Sequence, residues 1–420
     1  MKLGFRRILA QQKTIVKRNL SIVPIEDHLF GVSEEQSAIR ENFRNFFESE
    51  LTQQRCREID ETDSFPEYRE FWRKCGEQGV LGTLSAEEFG GTGMGLFETS
   101  LMLEELSRIS GGVYMGIFAH TCLSSYVIEK NGSPEQKAKF LPGLVSGQTI
   151  GALAMSEPGS GSDVMSMRCQ AVKQPGTDYY IVNGTKFWIT NGPICDTLVL
   201  YARTDPSSKG SKSITAFAID VRDLEGFTAT AIPGKMGVRG SYTGELHFDN
   251  VKIPASSVLG AEGRGAAVLM KGLNVERLTG AAGAVGYMQA ACDCAFPYAH
   301  ERKQFGVPIG EFQMMQSKMA EMYAQLSATR AYLYALLKAA DRDQRTLTNH
   351  DCAAVLMYGA EQATKVALEA IQILGGNGYT NAYPSERIMR DCKIGEIGAG
   401  TTEVRKLILG RHFNALYKNN

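Results

Sequence analysis

Strand-like runs in this chain crowd between residues 151 and 260, and helical periodicity flanks them on both sides. That segregation constrains the fold more than any single motif. Doubly wound dinucleotide folds alternate strand and helix along the chain, so one block of strands between two blocks of helices argues against them. The expected architecture is α+β and multi-domain. It has an N-terminal helical domain over 30–150, a middle β domain of barrel or sandwich type over 151–260, and a C-terminal helical domain over 262–420, built as a four-helix bundle.

The first block opens at Ser33 with Gln36 three residues on, a capping-box start. Ile39, Phe43, Phe46 and Phe47 then recur at helical spacing. Further helical pattern covers 67–79, 96–109 and 135–146, the last after a turn at Asn131-Gly132. In the middle block, 179–182 runs into Asn183-Gly184 and then into 185–189, which predicts a hairpin turning at the Asn-Gly pair. Residues 197–201, 214–219 and 245–248 are the other strand-like runs, and long helices are predicted over 309–340, 350–374 and 402–416.

Composition excludes several classes. A chain of 420 residues with 43% hydrophobic and 22% charged side chains reads as an ordinary globular protein with a large core. The net charge of −1 carries no signal for a nucleic-acid partner. No stretch approaches the roughly 18 apolar residues of a membrane span. The nine cysteines, Cys56 through Cys392, are odd in number and lack a disulfide rhythm, and no His/Cys set completes a zinc site. Free thiols in a reducing compartment and no metal are expected.

Residues 1–25 stand apart. Lys2, Arg6, Arg7, Lys13, Lys17 and Arg18 precede the first acid, Glu26, with Phe5, Ile8 and Leu9 among them. This is the pattern of a mitochondrial transit peptide, with a disordered basic arm as the plain alternative.

Four stretches could hold a small molecule. LAMSEPGSGSD (153–163) offers a glycine turn with Ser156, Ser160 and Ser162, suited to a polar ring edge or phosphate, or simply to a domain joint. KFWITNG (186–192) carries Trp188, whose face could cover a planar ring or pack in a core. ERKQFG (301–306), leading to Gln313, places Arg302 for a phosphate or for solvent. QILGGNGY (372–379) has Gly375 and Gly376 at a helix end, for close backbone approach or a helix stop. A fifth feature is Glu276 in KGLNVERLTG (271–280), an acid among apolar and small residues. The plain reading is a solvated carboxylate paired with Arg277 or Lys271.

Taken together, AMSEPGSGSD, KFWITNG, KMGVRGSYTGELHFDNVKIP (235–254), ERKQFGVPIGEFQ, QILGGNGY and IGAGTTEVRKLILGR resemble the acyl-CoA dehydrogenase family over nearly all of 30–415. The resemblance implies FAD as cofactor and oxidation of the Cα–Cβ bond of an acyl-CoA, in a homotetramer whose cofactor sites are shared between subunits. It lays Leu153, Ala154, Met155, Ser156, Glu157, Pro158, Gly159, Ser160, Gly161 and Ser162 along the flavin, with Trp188, Ile189 and Thr190 flanking its rings. It sends Arg302, Gln313 and the segment Gln372, Ile373, Leu374, Gly375 and Gly376 toward a neighbouring subunit's FAD. Thr401, Thr402 and Glu403 would touch the adenosine diphosphate portion. On the substrate side it implies Ser162, Ser211 and Lys212 in the loop 206–213, Asn274, Val275 and Arg277, and Ala399 and Gly400 near the thioester.

Most of the family takes its catalytic base from a Tyr-Glu-Gly-Thr stretch near the C-terminus. Here Gly398-Ala399-Gly400-Thr401 stands there, and alanine cannot accept a proton. A minority, including enzymes of isovaleryl-CoA and of long-chain acyl-CoA, carries the base on the helix that holds Glu276. The resemblance therefore implies Glu276 as the base that removes the α-proton. The small pair at 398–399 implies width for a short branched chain, hence isovaleryl-CoA to 3-methylcrotonyl-CoA in leucine breakdown, with electrons passed to electron-transferring flavoprotein in the mitochondrial matrix. Ala267 and Asn274 depart from that pattern, where a tyrosine and an aspartate are usual. A long-chain dehydrogenase, an acyl-CoA oxidase and a non-catalytic assembly partner are the other readings.

Overall fold

The protein is described here by a computed structural model covering residues 23–25, 27–205 and 210–418. Most of the leader assigned to 1–25 lies outside these residues. Val23, inside that range, is built into the fold: its N–H donates to Asp293 Oδ1 at 2.8 Å and its C=O accepts from Gln289 at 3.0 Å.

The N-terminal helices are α1 (Glu34–Glu50), α2 (Gln53–Thr62), α3 (Tyr68–Glu77), α4 (Leu96–Ile109), α5 (Gly111–Phe118), α6 (Tyr126–Asn131) and α7 (Pro134–Val145). α1 begins at its capping box, with Ser33 Oγ and Gln36 Oε1 each accepting the other residue's N–H at 3.1 Å. α2 has no counterpart in the sequence reading, because only Cys56 and Ile59 give it an apolar face. Between α5 and α6 the chain runs through a π-helical turn, Ala119–Ser125.

The strands are β1 (Gly151–Ala154), β2 (Gln170–Lys173), β3 (Tyr179–Thr190), β4 (Thr197–Arg203), β5 (Ile214–Asp220), β6 (Phe227–Ala231), β7 (Thr243–Pro254) and β8 (Val258–Leu259). They form one eight-stranded sheet in the order β6-β7-β3-β2-β4-β5-β8, with β1 parallel to β4. The hairpin predicted at Asn183-Gly184 does not form. β3 runs straight through it with a register shift between Val182 and Gly184 against β7. Gly184 sits at φ 143°, and a Cβ there would lie 2.7 Å from Cys169 Cα, so its glycine serves a bulge rather than a turn.

The C-terminal block is all helix apart from the short hairpin β9 (Lys303–Gln304) and β10 (Val307–Pro308). Its helices are α8 (Gly265–Glu301), α9 (Gln313–Arg342), α10 (Asn349–Leu374), α11 (Ser385–Cys392) and α12 (Thr402–Lys418). α10 packs on α8, α9 and α12, which completes the bundle. α8 is apolar around most of its circumference and correspondingly buried. Its small residues let α4 approach closely: a Cβ at Gly286 would fall 2.0 Å from Ser107 Oγ.

Charged groups tie the two helical blocks together. Glu104, buried on α4, takes Arg330 at 2.6 Å and the Tyr334 hydroxyl at 2.7 Å. Within the N-terminal block, Glu105 on α4 takes Arg44 on α1 at 2.7 Å. Buried carboxylates need such partners, since an unpaired one costs several kcal/mol. His120, in the π turn, accepts from Gly151 N–H at 3.0 Å through Nδ1 and lies 3.0 Å from Leu144 O through Nε2, joining α7 to β1. Among the described residues no helix is long and apolar enough to cross a membrane.

Candidate active site

Glu276 lies three turns into α8, half-buried, where the middle sheet and both helical blocks meet. Its carboxylate has no ion pair or hydrogen bond among the described residues, so the plain pairing with Arg277 or Lys271 does not occur. Burial pushes its pKa up to about 7, against the pull of Arg277 and Arg405. Its charge is felt by Tyr114 on α5, Cys122 in the π turn and Tyr201 on β4.

The flanking residues are aimed elsewhere. Arg277 Nη1 donates to Asn349 Oδ1 at 2.6 Å. Val275 is buried, and its carbonyl accepts the Thr279 hydroxyl at 2.7 Å. Asn274 Oδ1 and the Tyr201 hydroxyl are buried without a partner. Unpaired buried polar atoms cost free energy, and a ligand's amide or hydroxyl can satisfy them.

The segment Gly398-Ala399-Gly400 lies beside the neighbouring Arg277. A Cβ on Gly400 would lie 4.0 Å from Arg277 Nη2. Arg405, on α12, donates to Gly395 O at 2.8 Å and to Gly398 O at 2.5 Å. Ala399 is held at φ 55°, and its N–H has no partner among the described residues. A free, rigidly held N–H is the kind of donor that can steady negative charge growing on a carbonyl oxygen.

The loop 153–162 forms a second surface. Leu153 and Ala154 end β1, paired with Val199 and Leu200. Beneath the loop, Lys186 Nζ is fully buried and donates to Met155 O and Glu157 Oε1, both at 2.9 Å. Glu157 also accepts from Arg168 N–H at 2.6 Å and Cys169 N–H at 2.9 Å, and Ser156 O accepts from Phe187 N–H at 2.9 Å. Ser160 bonds back to Glu157, while Pro158, Gly159, Gly161 and Ser162 stay exposed. A Cβ at Gly159 or Gly161 would meet nothing within 4 Å. The packing inside this chain therefore does not demand glycine there; a closely approaching ligand would.

Beside this loop Trp188 is 60% exposed at φ 63°, a conformation that costs a bulky residue about 1–3 kcal/mol. Core packing of Trp188 is thus ruled out. A register shift between Lys186 and Ile189 turns its ring outward, while Ile189 stays buried and Thr190 half-buried.

Other predicted residues fall in three places. Ser211 and Lys212 are exposed, and residues 206–209 of their loop lie outside the described residues. Arg203 anchors that loop through Ser213 and the Ser162 side through Met165 O and Met167 O, both at 2.7 Å. Arg302, Gln313, Gln372, Gly375 and Gly376 are exposed, whereas Ile373 and Leu374 point into the core and offer only backbone. Thr401 caps α12, accepting from Val404 N–H at 3.3 Å, Glu403 is exposed, and Thr402 Oγ1 is buried with no partner.

Comparison with known proteins gives this arrangement a family. Residues 33–148, 152–251 and 263–413 match the acyl-CoA dehydrogenase N-terminal, middle and C-terminal domains respectively. The chain belongs to the acyl-CoA dehydrogenase family.

It is thus an FAD-dependent acyl-CoA dehydrogenase by family. This dehydrogenase is 48% identical over 401 residues to the mitochondrial isovaleryl-CoA dehydrogenase of Bos taurus, covering 96% of this chain and 93% of that one. It is 49% identical over 355 residues to the mitochondrial 2-methylacyl-CoA dehydrogenase of Solanum tuberosum, covering 84% of each. A glutaryl-CoA dehydrogenase from Mycobacterium smegmatis solved with FADH2 superposes with a TM-score of 0.85 at 28% identity, covering 91% of this chain and 95% of that one.

The residues present fit a bound flavin. Outward-held Trp188, the open face at Gly159 and Gly161, and the unpartnered Thr402 hydroxyl each lack a reason within this acyl-CoA dehydrogenase chain alone. Sequence reasoning missed Arg405, Lys186 and Tyr114 as parts of the site. Arg405 and Lys186 read as surface charges in isolation. Only their total burial marks them out.

Proposed function

We propose that the protein oxidises a short branched acyl-CoA, isovaleryl-CoA to 3-methylcrotonyl-CoA, as a step of leucine breakdown. Glu276 is the base. The observation that carries this reading is an unpaired carboxylate on α8 whose pKa burial raises to about 7, in a chain where Ala399 stands in the other place the family uses for an acid. A base poised near the working pH is efficient for a weak carbon acid.

Bound FAD supplies the acceptor for the hydride that leaves Cβ. The chain's residues do the rest. Glu276 takes the α-proton, and the Ala399 N–H steadies charge growing on the thioester oxygen. Trp188 and Thr190 cover the flavin rings, with Ile189 buried behind them, and 153–162 lies along them. Thr401, Thr402 and Glu403 reach the adenosine diphosphate portion. Ser162, Ser211 and Lys212 line the CoA side, Asn274, Val275 and Arg277 the acyl and pantetheine channel, and Gly400 stands by the thioester. Arg302, Gln313, Gln372, Gly375 and Gly376, exposed here, with the backbone of buried Ile373 and Leu374, serve a neighbouring subunit's FAD in a homotetramer. Electrons pass to electron-transferring flavoprotein in the mitochondrial matrix, a location supported by the mitochondrial relatives. Residues 30–150, 151–260 and 262–420 are the domains that bring these parts together.

Relative kcat/KM on isovaleryl-, 2-methylbutyryl-, butyryl- and palmitoyl-CoA tests the substrate. Isovaleryl-CoA should lead. Preference for 2-methylbutyryl-CoA would move the enzyme to the 2-methylacyl group, and preference for palmitoyl-CoA to the long-chain type.

A further inference from the structure

Arg203 ends β4 where two loops distant in sequence come together. Three of its side-chain donors go to them. Nε donates to Met167 O and Nη2 to Met165 O, both at 2.7 Å, and Nη1 donates to the Ser213 hydroxyl. Its backbone N–H donates to Cys169 O at 2.8 Å. The planar guanidinium suits this task, because its donors are fixed relative to one another, whereas a lysine ammonium is a point charge on a flexible stem.

Each loop is stiff around these acceptors. A 3-10 turn, Val164–Ser166, follows directly after Ser162 and its neighbour Asp163. The Asp163 carbonyl accepts from Ser160 Oγ and its carboxylate from Ser166 Oγ, both at 2.5 Å. On the other side Ser213 is fully buried, and its hydroxyl donates onward to Gly210 O at 2.8 Å. Ser211 and Lys212 lie between those two points and are exposed, as is Ser162.

The same corner reaches α8. Thr204 N–H donates to Ser213 O at 2.9 Å, the Thr204 and Thr215 hydroxyls share a hydrogen bond at 2.8 Å, and Thr215 Oγ1 accepts from Gly263 N–H at 2.9 Å. A Cβ at Gly263 would fall 2.7 Å from Lys212 O. Two residues on, Gly265 begins the helix that carries Asn274 and Glu276.

We propose that Arg203 is a positioning residue for the CoA end of the substrate: it locks the loop after Ser162 to the loop before Ile214, so that Ser162, Ser211 and Lys212 stand in place before the nucleotide portion arrives. This rests on the reading of those three residues as the CoA side. Groups set in advance bind tighter, because binding then has less ordering left to do.

The test is KM and kcat of the FAD-loaded enzyme on isovaleryl-CoA and on isovaleryl-pantetheine, which lacks the nucleotide portion. Arg203→Gln should raise KM for isovaleryl-CoA about 10-fold, since its loops must be ordered on binding, and leave KM for isovaleryl-pantetheine and both kcat values at wild type. Arg203→Lys should recover part of the loss. Ser213→Ala removes one acceptor and should raise the same KM by a smaller factor. Equal KM changes for the two thioesters, or none, in folded, flavin-replete Arg203→Gln, or in Ser213→Ala should the former not fold, overturn the proposal. A merely structural role would weaken both substrates together. Failure of the underlying reading is separable. If Lys212→Ala raises KM for isovaleryl-CoA and Arg203→Gln does not, the proposal alone fails. If Lys212→Ala and Ser211→Ala both leave it unchanged, the CoA side is misassigned and the proposal falls with it.

Discussion

Arg405 grips the chain at Gly398: its guanidinium donates to that carbonyl at 2.5 Å and to Gly395 O at 2.8 Å, from a position fully buried beneath the loop. The next residue, Ala399, is thereby held with φ 55° and its N–H free. One side chain on α12 thus fixes a free backbone donor in the Gly398-Ala399-Gly400 segment. Burial pulls the Arg405 pKa down to about 10, with Arg277 adding to the fall and the nearby acids opposing it.

Arg405→Met should release the 395–400 loop. Without a preorganised donor, kcat should fall by about 10²-fold, the order seen when one oxyanion donor is lost. Arg405→Lys, which retains the charge but cannot fork to two carbonyls, should recover only part of it. Measured kcat for the two variants checks this; equal activity in both and in wild type would detach Arg405 from the site.

The acid limb of kcat/KM should fall near pH 7. The base must be ionised, and burial has raised its pKa to about 7, so activity rises with pH through that value. The groups facing it are Arg277 and Arg405, which favour ionisation, and Tyr114, Cys122 and Tyr201, which stay neutral there because burial raises their pKa values. Arg405→Met removes one cation and should move the limb to higher pH. The same raised pKa means that ionising Glu276 opposes folding, a penalty absent below about pH 4.3 and complete above 7. A pH–rate profile with a limb near 4.5 would contradict the enclosed geometry.

Much of this was legible before any coordinates. Ser33 and Gln36 mark the start of α1, and the absence of alternation excludes a doubly wound sheet. What was not legible depended on long-range packing. Asn183-Gly184 is a hairpin signal locally, yet β7 continues past it, and antiparallel pairing on both sides turns the pair into a bulge. α2 lacked an apolar stripe because Thr52 capping and a few contacts suffice for it. Arg405 and Tyr114 carry no local motif; their meaning comes only from what α8 and α12 bring beside them.

His120 should make the fold acid-sensitive. Burial pushes its pKa from 6.5 down to about 4. Nδ1 already accepts from Gly151 N–H and from Trp72 Nε1 at 3.4 Å, leaving no room for a second proton. The unfolded chain binds that proton below about pH 6.5 and the folded chain only near 4. Stability from this group is therefore present at neutral pH and lost as pH falls through that window, about 3 kcal/mol in all. Urea unfolding at pH 7 and pH 4.5 measures it. His120→Gln should be less stable at pH 7 and should lose less on acidification than wild type.

The most direct test of the account is Glu276→Gln, followed by stopped-flow loss of flavin absorbance on mixing with isovaleryl-CoA. Glutamine keeps the shape and cannot take a proton. The variant should bind FAD and acyl-CoA as wild type does yet reduce its flavin at least about 10²–10⁴-fold more slowly. Flavin reduction at a near-wild-type rate would show that some other group removes the α-proton, and the assignment of Glu276 would fall.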